Sequence, residues 1–513
     1  MKKNLLCVLL AGVMTAGLLA GCGSSEKTST AGGSDSKGTI TIAVKSDISS
    51  FDPHNHNDTI SATATRHIYS NLVRLDENNE FVGDLAESWE YTDDTTVAFT
   101  LKEGVKFQNG SVLTSEDVKY SLESQKESSR VGHLVSMIDS VEVVDDTHFI
   151  IHLNTPSNAL ISSLNHSGCA ILNKAYVEEQ LAAGKKIEDA PMGTGPYKFE
   201  EWIPGASYTL VKNEDYFDTA RAPQNDKLVF KIISEESAST IALENGEVDL
   251  LLRVPTNDAS KIRNNDKLTL KEYVNTQVEY FCVNTEKAPF DDVRVRQALN
   301  YAINKNDILI ATINNEGTAF DNYIGAAAIG YYDTVTKYEY NPEKAKELLA
   351  EAGVAEGFSF NCYLTSDVRA RSATVIQANL AELGITMNIE QMEASTFYEK
   401  TGNGEHDSCM AGWSANAEPD NTYRPLFTSV NAGSGGNRSF YKNPEVDALV
   451  DDAAVNRDKE AVAKDYQTIL QILSDDAVWV PLYSPTGLMA HNKDLQGVVP
   501  SPMDMHDFYS LHY

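Results

Sequence analysis

Apolar and polar positions alternate with a period of two along Thr39–Val44 and again at Val97, Phe99 and Leu101. The same alternation runs through Val141–Val144 and Phe149–Leu153, with Asp145-Asp146-Thr147 between them, and predicts a hairpin. Thr114 followed by Asp117 has the spacing of a capping box, and it opens a helix with Val118 and Leu122 on one face. Tyr208–Val211, Val229–Ile233 and Val278–Val283 predict further strands. Between the last two, a helix over Ser237–Asn245 is ended by Gly246. Asp291 or Asp292 caps a helix that carries Val295, Leu299 and Ile303 on one side. Strands and helices mix here without a repeating β-α-β order.

The next stretch is more regular. Asn341-Pro342 starts a helix that Gly353 ends. Phe358–Leu364 predicts a strand, Ala370–Leu383 a helix stopped by Gly384, and Ile385, Met387 and Ile389 a second strand. A short helix over Ser395–Lys400 leads to a third strand, Ser408–Trp413. A β-α-β-α-β order of this kind predicts three parallel strands in one α/β lobe. Helices follow over Pro444–Asp452 and Lys459–Leu473, and the apolar run Ala477–Tyr483 leads to an irregular tail ending at Tyr513.

Length and charge narrow the reading. At 513 residues the chain exceeds one ordinary core, so several lobes are expected. A net charge of −32 argues against a nucleic-acid partner and against broad adhesion to anionic lipid, and 42% apolar residues argue against global disorder. Only the N-terminus carries a long apolar run, which argues against a polytopic membrane protein. There Lys2 and Lys3 precede the apolar stretch Leu5–Ala20, the pattern of a secretory signal. The stretch ends in Leu19-Ala20-Gly21-Cys22, a lipobox pattern in which residues 1–21 are removed and Cys22 carries the lipid. Removal of that segment leaves 40 basic residues against 74 acidic ones, a charge of −34. Gly23–Gly38 has no side chain able to anchor a core, so residues 22–38 are expected to form a flexible tether.

Candidate chemistry is sparse. Cys169, Cys282, Cys362 and Cys409 lie far apart with no CxxC pair, which gives no zinc pattern and leaves their pairing open. His-Glu-x-x-His, Gly-x-Ser-x-Gly and Walker patterns are missing, so no catalytic residue, metal site or cofactor is expected. Ligands in parallel α/β lobes bind beyond the carboxyl ends of strands. After Leu364 comes a polar turn with Arg369 and Arg371, whose guanidinium forks suit a carboxylate. After Gly412 come Trp413, Asn416 and Asp420, with a flat apolar ring and polar tips. Phe51, His54 and Tyr483 complete the candidate ligand contacts. His54 and His56 could join a metal site only with a third ligand, and none is evident.

Eight segments together resemble a known family. They are Asp84–Tyr91, Phe99–Gly110, Thr114–Val118, Gly193–Phe199 with Trp202, Asn245–Asp249, Phe290–Leu299 with Ala302-Ile303, Tyr441–Asp447 and Val480–Tyr483. In this order they resemble the extracellular solute-binding proteins of peptide-type ABC importers, which include dipeptide-, oligopeptide-, glutathione- and nickel-binding members. The resemblance implies an α/β, two-lobed periplasmic-binding-protein-like fold of type II, with the ligand in a cleft between lobes. It places the first lobe at 39–54, 191–279 and 481–513, an extra subdomain at 55–190, and the second lobe at 280–480. It implies a monomer that is lipid-anchored at the outer face of a bacterial membrane, takes a peptide-like solute and delivers it to an ABC permease and ATPase. In peptide binders of this kind a Trp-x-x-Asp run holds the ligand's amine. Here the run is Trp413-Ser-Ala-Asn416, which offers a hydrogen bond but no charge. Gly412-Trp-Ser with Arg424-Pro-Leu426 is similar to the glutathione-binding branch. A nickel-chelate or heme cargo held by His54 or His56 against Trp413 is a further alternative, and an extracellular peptidase is the least supported one.

Overall fold

A computed structural model describes residues 38–354 and 356–513. The signal segment, Cys22 and the tether up to Lys37 lie outside the described residues.

The first lobe is built on the strand Thr39–Val44. It pairs in parallel with Lys227–Ile232 on one side and with Leu250–Leu251 on the other. Lys227–Ile232 continues antiparallel into Ser207–Lys212 and then Tyr197–Ile203. Ile40, Ile42, Tyr208, Leu210 and Phe230 are buried in one apolar cluster of this lobe. The irregular tail joins the same cluster through Phe508. The Tyr197 hydroxyl and the Asn225 amide both donate to the Phe508 carbonyl, at 3.1 and 3.0 Å.

The second lobe contains the expected parallel trio. Ser359–Leu364 lies between Thr386–Gln391 and Ser408–Ser414, parallel to both. The helices Asp367–Ala381 and Ala394–Gly402 make the crossovers. Ser408–Ser414 then pairs antiparallel with Gln277–Val283.

One strand runs through both lobes and was only half foreseen. The apolar run Ala477–Tyr483 is expected to lead straight into an irregular tail, yet the strand extends over Trp479–Asn492. Its first part pairs with Gln277–Val283 and Gly317–Ala319, its second with Leu268–Val274 and Leu250–Leu251. The prolines are accommodated by irregularity. The register steps from Glu279↔Tyr483 to Tyr280↔Pro481, which leaves Leu482 as the extra residue of a bulge. The chain therefore passes between lobes at Asn275-Thr276 and at Pro485-Thr486. The second lobe's sheet takes in Gln277–Val283 and Trp479–Pro485, somewhat more than the interval 280–480.

The extra subdomain is a four-stranded antiparallel sheet in the order Ala86–Asp93, Thr96–Leu101, His148–Leu153, Ile138–Val143. The hairpin turns where expected, with the Asp145 carboxylate accepting from the N–H groups of Thr147 and His148. The capping box at Thr114 and Asp117 forms. Phe99 stacks on Phe149 at 5.1 Å within its core. The helix Thr59–Ile68, assigned to this subdomain by the interval 55–190, instead packs Ala64 and Ile68 into the first lobe.

A cleft between the lobes as candidate functional site

Beyond the carboxyl end of Thr39–Val44, the two lobes face each other across a cavity of about 760 Å³. The first lobe supplies Val44–Asp47, Asp58–Ile60 and Leu251–Thr256. The second supplies Thr312, Ile313, Val368 and Arg371. A smaller cavity of about 200 Å³ shares Asp58, Thr59 and Asp504 with it. Its floor is the crossing segment Asn275-Thr276-Gln277, and its far wall is Ser414–Asn416. Together they form a site with an apolar body and a few polar groups, the usual composition for a small-molecule ligand.

Most charges on these walls are already paired. Lys45 meets Glu236 at 2.6 Å, and Arg253 is bridged to Asp504, which also accepts from the Tyr273 hydroxyl at 2.8 Å. Asp58 caps the helix Thr59–Ile68 through the Ser61 N–H at 2.8 Å. Partial burial opposes its ionisation, but hydrogen bonds from Ser49 and Ser61 outweigh that and hold its carboxyl below the ordinary range. Arg371 is different. Its guanidinium donates to the Thr312 carbonyl at 3.1 Å and forms no ion pair among the described residues. It is the cation of this cleft with charge to offer.

The two candidate arginines have separated. Arg369 is committed to Glu279, with Nε–Oε2 at 3.0 Å and Nη2–Oε1 at 3.2 Å. Burial opposes its charge, yet Glu279 holds its pKa above the ordinary value. Gln277 donates to the same carboxylate at 2.9 Å. Gly412 belongs to this arrangement, because a Cβ there would lie 2.1 Å from Glu279 Oε1. The glycine of Gly412-Trp-Ser therefore has a packing reason of its own.

Other expected contacts are placed elsewhere. Phe51 is wholly buried, packed edge-on against Phe199, Trp202 and Tyr208 at 5.0–5.7 Å, so it presents no face to a ligand. His54 lines neither cavity. Burial and the neighbouring His56 push its pKa down to about 4, and its backbone is fixed by Asp52 and Ser128. His56 is buried against Thr65, with Nε2 3.2 Å from the hydroxyl. Tyr483 is buried on the crossing strand, and burial raises its phenol pKa. Trp413 is half-buried, donates its indole N–H to Thr422 at 3.2 Å and lies off both cavity walls. Asp420 pairs within its own helix with Arg424 at 2.9 Å. Asn416 is exposed on the smaller cavity, where its carbonyl oxygen accepts from the Glu418 N–H at 2.9 Å. Arg253, Asp58 and Asp504 were not anticipated. Asp58 had a signal, as a capping acid before Thr59-Ile-Ser61, whereas Asp504 stands in a tail without periodicity.

The lobes also meet away from the cleft. Asn158 of the subdomain donates to the carbonyls of Ala453 and Asn456 at 2.9 and 2.6 Å, serving the end of the helix Pro444–Ala453. Arg457 returns a bond to Asn158 at 2.6 Å and lies 3.8 Å over the Tyr91 ring. This clasp holds the subdomain against the second lobe.

The arrangement has close counterparts among known proteins. Heme-binding protein A of Haemophilus influenzae is 33% identical over 479 residues, covering 87% of each chain. The dipeptide-binding protein of Escherichia coli is 29% identical over 475 residues, covering 86% of this chain and 88% of its own. The structure of HbpA2 from Haemophilus parasuis superposes with a TM-score of 0.85 at 29% identity, covering 92% of this chain and 99% of that one. The fold is thus the bilobed α/β periplasmic-binding-like one. The family model described as bacterial extracellular solute-binding proteins, family 5, middle, matches residues 80–434. With that match across most of the chain, the protein belongs to family 5 of the bacterial extracellular solute-binding proteins.

Proposed function

We propose that this protein captures a small peptide with a free carboxylate outside the cytoplasmic membrane and delivers it to an ABC permease and ATPase. The reading rests on Arg371. A guanidinium without an acidic partner, on the wall of a cavity of about 760 Å³, suits an incoming carboxylate. Leu251, Leu252, Val254 and Pro255 give side chains of the solute an apolar surface to cover. Asp58 on the shared rim, which has no cationic partner among the described residues, gives its cationic end a negative charge that Asn416 does not supply. The dipeptide-binding relative adds support through its name. The chemistry is binding rather than turnover. Ligand contacts from both lobes favour the closed arrangement, because a ligand shifts lobes only by its differential affinity for the two states.

Calorimetry with short peptides, their C-terminally amidated forms, glutathione and hemin tests this. Free-acid peptides should bind, and amidation should weaken them about 10–100-fold, the worth of one charge-assisted contact. Arg371→Ala should lose the same factor for the free acid and nothing further for the amide. Tight hemin binding with inert peptides, or an Arg371→Ala protein that still distinguishes acid from amide, would overturn the proposal. The lipid anchor is tested separately. Cys22→Ser should abolish incorporation of labelled palmitate into the exported protein, and a variant that still takes up the label rules out Cys22 as its attachment.

A further inference from the structure

Among the four cysteines of the body, one pair is brought together. Cys282 and Cys409 are register partners on the antiparallel strands Gln277–Val283 and Ser408–Ser414. Their Sγ atoms lie 3.3 Å apart, although the residues are separated by 127 positions in the chain. Both belong to the aromatic cluster of Tyr280, Tyr323 and Trp479. Cys362, on the next strand, belongs to the cluster on the other side of the sheet with Phe281 and Phe360, and Cys169 lies in the subdomain core. Four cysteines allow three complete connectivities. The fold brings two sulfurs into contact and sends the other two into different cores.

We propose that Cys282 and Cys409 are a disulfide-forming pair that joins the central strands of the second lobe when the exported chain folds in an oxidising environment. The step is thiol–disulfide exchange. Each thiol gives up its hydrogen, the Sγ–Sγ bond forms, and the disulfide that acts as oxidant takes two electrons and two protons and leaves as two thiols. Burial dictates when this happens. Both residues are at most 1% exposed, so an external oxidant has no path to either sulfur in the folded sheet, and the contact with Cys282, together with burial, keeps the Cys409 thiol well above its ordinary pKa. The bond is therefore made during folding, before the sheet closes over it. A bridge over so long a loop restricts the unfolded chain strongly. It would also fix the strand whose far end carries Ser414–Asn416 at the cleft.

Peptide mapping of the full chain tests this without any ligand. The protein is refolded with oxidised glutathione and denatured with N-ethylmaleimide, then reduced and treated with iodoacetamide. Cys282 and Cys409 should carry the second label, Cys169 and Cys362 the first. Before reduction, the two peptides should appear joined and lighter by two hydrogens. The oxidised protein should melt several degrees above the reduced one, and Cys409→Ser should abolish that difference. Maleimide on all four cysteines after oxidative refolding, or a bridge to Cys169 or Cys362, would overturn the proposal. If Cys409→Ser does not fold, the map of the unaltered chain still decides.

Discussion

Replacing Trp479 by alanine is expected to cost about 3–5 kcal/mol of stability, the usual range for removing a large aromatic side chain from a core. The position justifies the upper part of that range. Trp479 is 2% exposed and stacks flat on Tyr280 with centroids 3.6 Å apart. Tyr323 and Phe427 close around it at 5.5 and 4.8 Å. It begins the strand Trp479–Asn492 that runs through both lobes, so the cavity would open at the root of the element shared by the whole molecule. Trp479→Phe gives the sharper comparison. The indole N–H is buried without an acceptor among the described residues, a donor that already carries a desolvation cost. Phenylalanine keeps much of the stacking and removes that cost, so it should lose less than half of what alanine loses. Urea unfolding of the three proteins measures both differences. Equal losses for the two variants would show that the N–H finds a partner after all. A loss under about 1 kcal/mol for alanine would show that the stack collapses freely.

Element type was readable where one face of the chain is buried throughout. The parallel trio around Ser359–Leu364 formed as expected because each strand and crossover helix has its own periodicity and its own stop, such as Gly353 or Gly384. The crossing strand was not readable to its end. Pro481, Pro485 and Gly487 are tolerated through a bulge and a change of partners, and both are tertiary events. The site was harder still. Arg369 and Arg371 are two positions apart on one helix, hence about 200° around its axis. One faces Glu279 inside the lobe and the other faces the cleft. No local pattern says which, because the deciding partner, Glu279, is 90 positions away. Phe51 has the same lesson in reverse. A lone aromatic in a polar loop looks available, and three rings from other strands claim it. The net charge of −32 then explains why one unpaired guanidinium matters, since the overall field repels an anionic solute.

Acidification from pH 6.5 towards about 4.5 should weaken the fold through His67, against the opposing effect of Asp84 and Glu418, whose carboxyl pKa values burial raises. His67 is buried, and burial pushes its pKa from 6.5 down to about 4, with Asp507 opposing that shift and Arg66 and Arg221 adding to it. Its neutral form is held from both sides. Nδ1–H donates to the Thr63 carbonyl at 2.6 Å, and Nε2 accepts the Phe508 N–H at 3.2 Å while the two rings stack at 5.0 Å. A proton on Nε2 leaves two donors facing each other and frees the tail from the helix Thr59–Ile68. The unfolded imidazole binds a proton below its ordinary pKa and the folded one does not, so stability is complete above about pH 6.5 and is lost as pH falls towards 4. A separation of that size is worth at most about 3 kcal/mol. His506, also pushed down to about 4 by burial, acts in the same window and direction. Asp58 and Asp145 have depressed carboxyl pKa values, so their contributions are lost only at lower pH. His67→Gln keeps a donor and an acceptor but cannot take up the proton. It should be less stable than the parent at pH 7.5 by about 1 kcal/mol, the worth of an imperfect hydrogen bond, and should lose that deficit by pH 4.5. Urea midpoints across this range test the slope, and hydrogen exchange at the Phe508 amide tests its origin. Exchange there should accelerate below pH 5 relative to the Phe230 amide in the neighbouring strand. Parallel stability curves for parent and variant would assign the acid sensitivity to other groups.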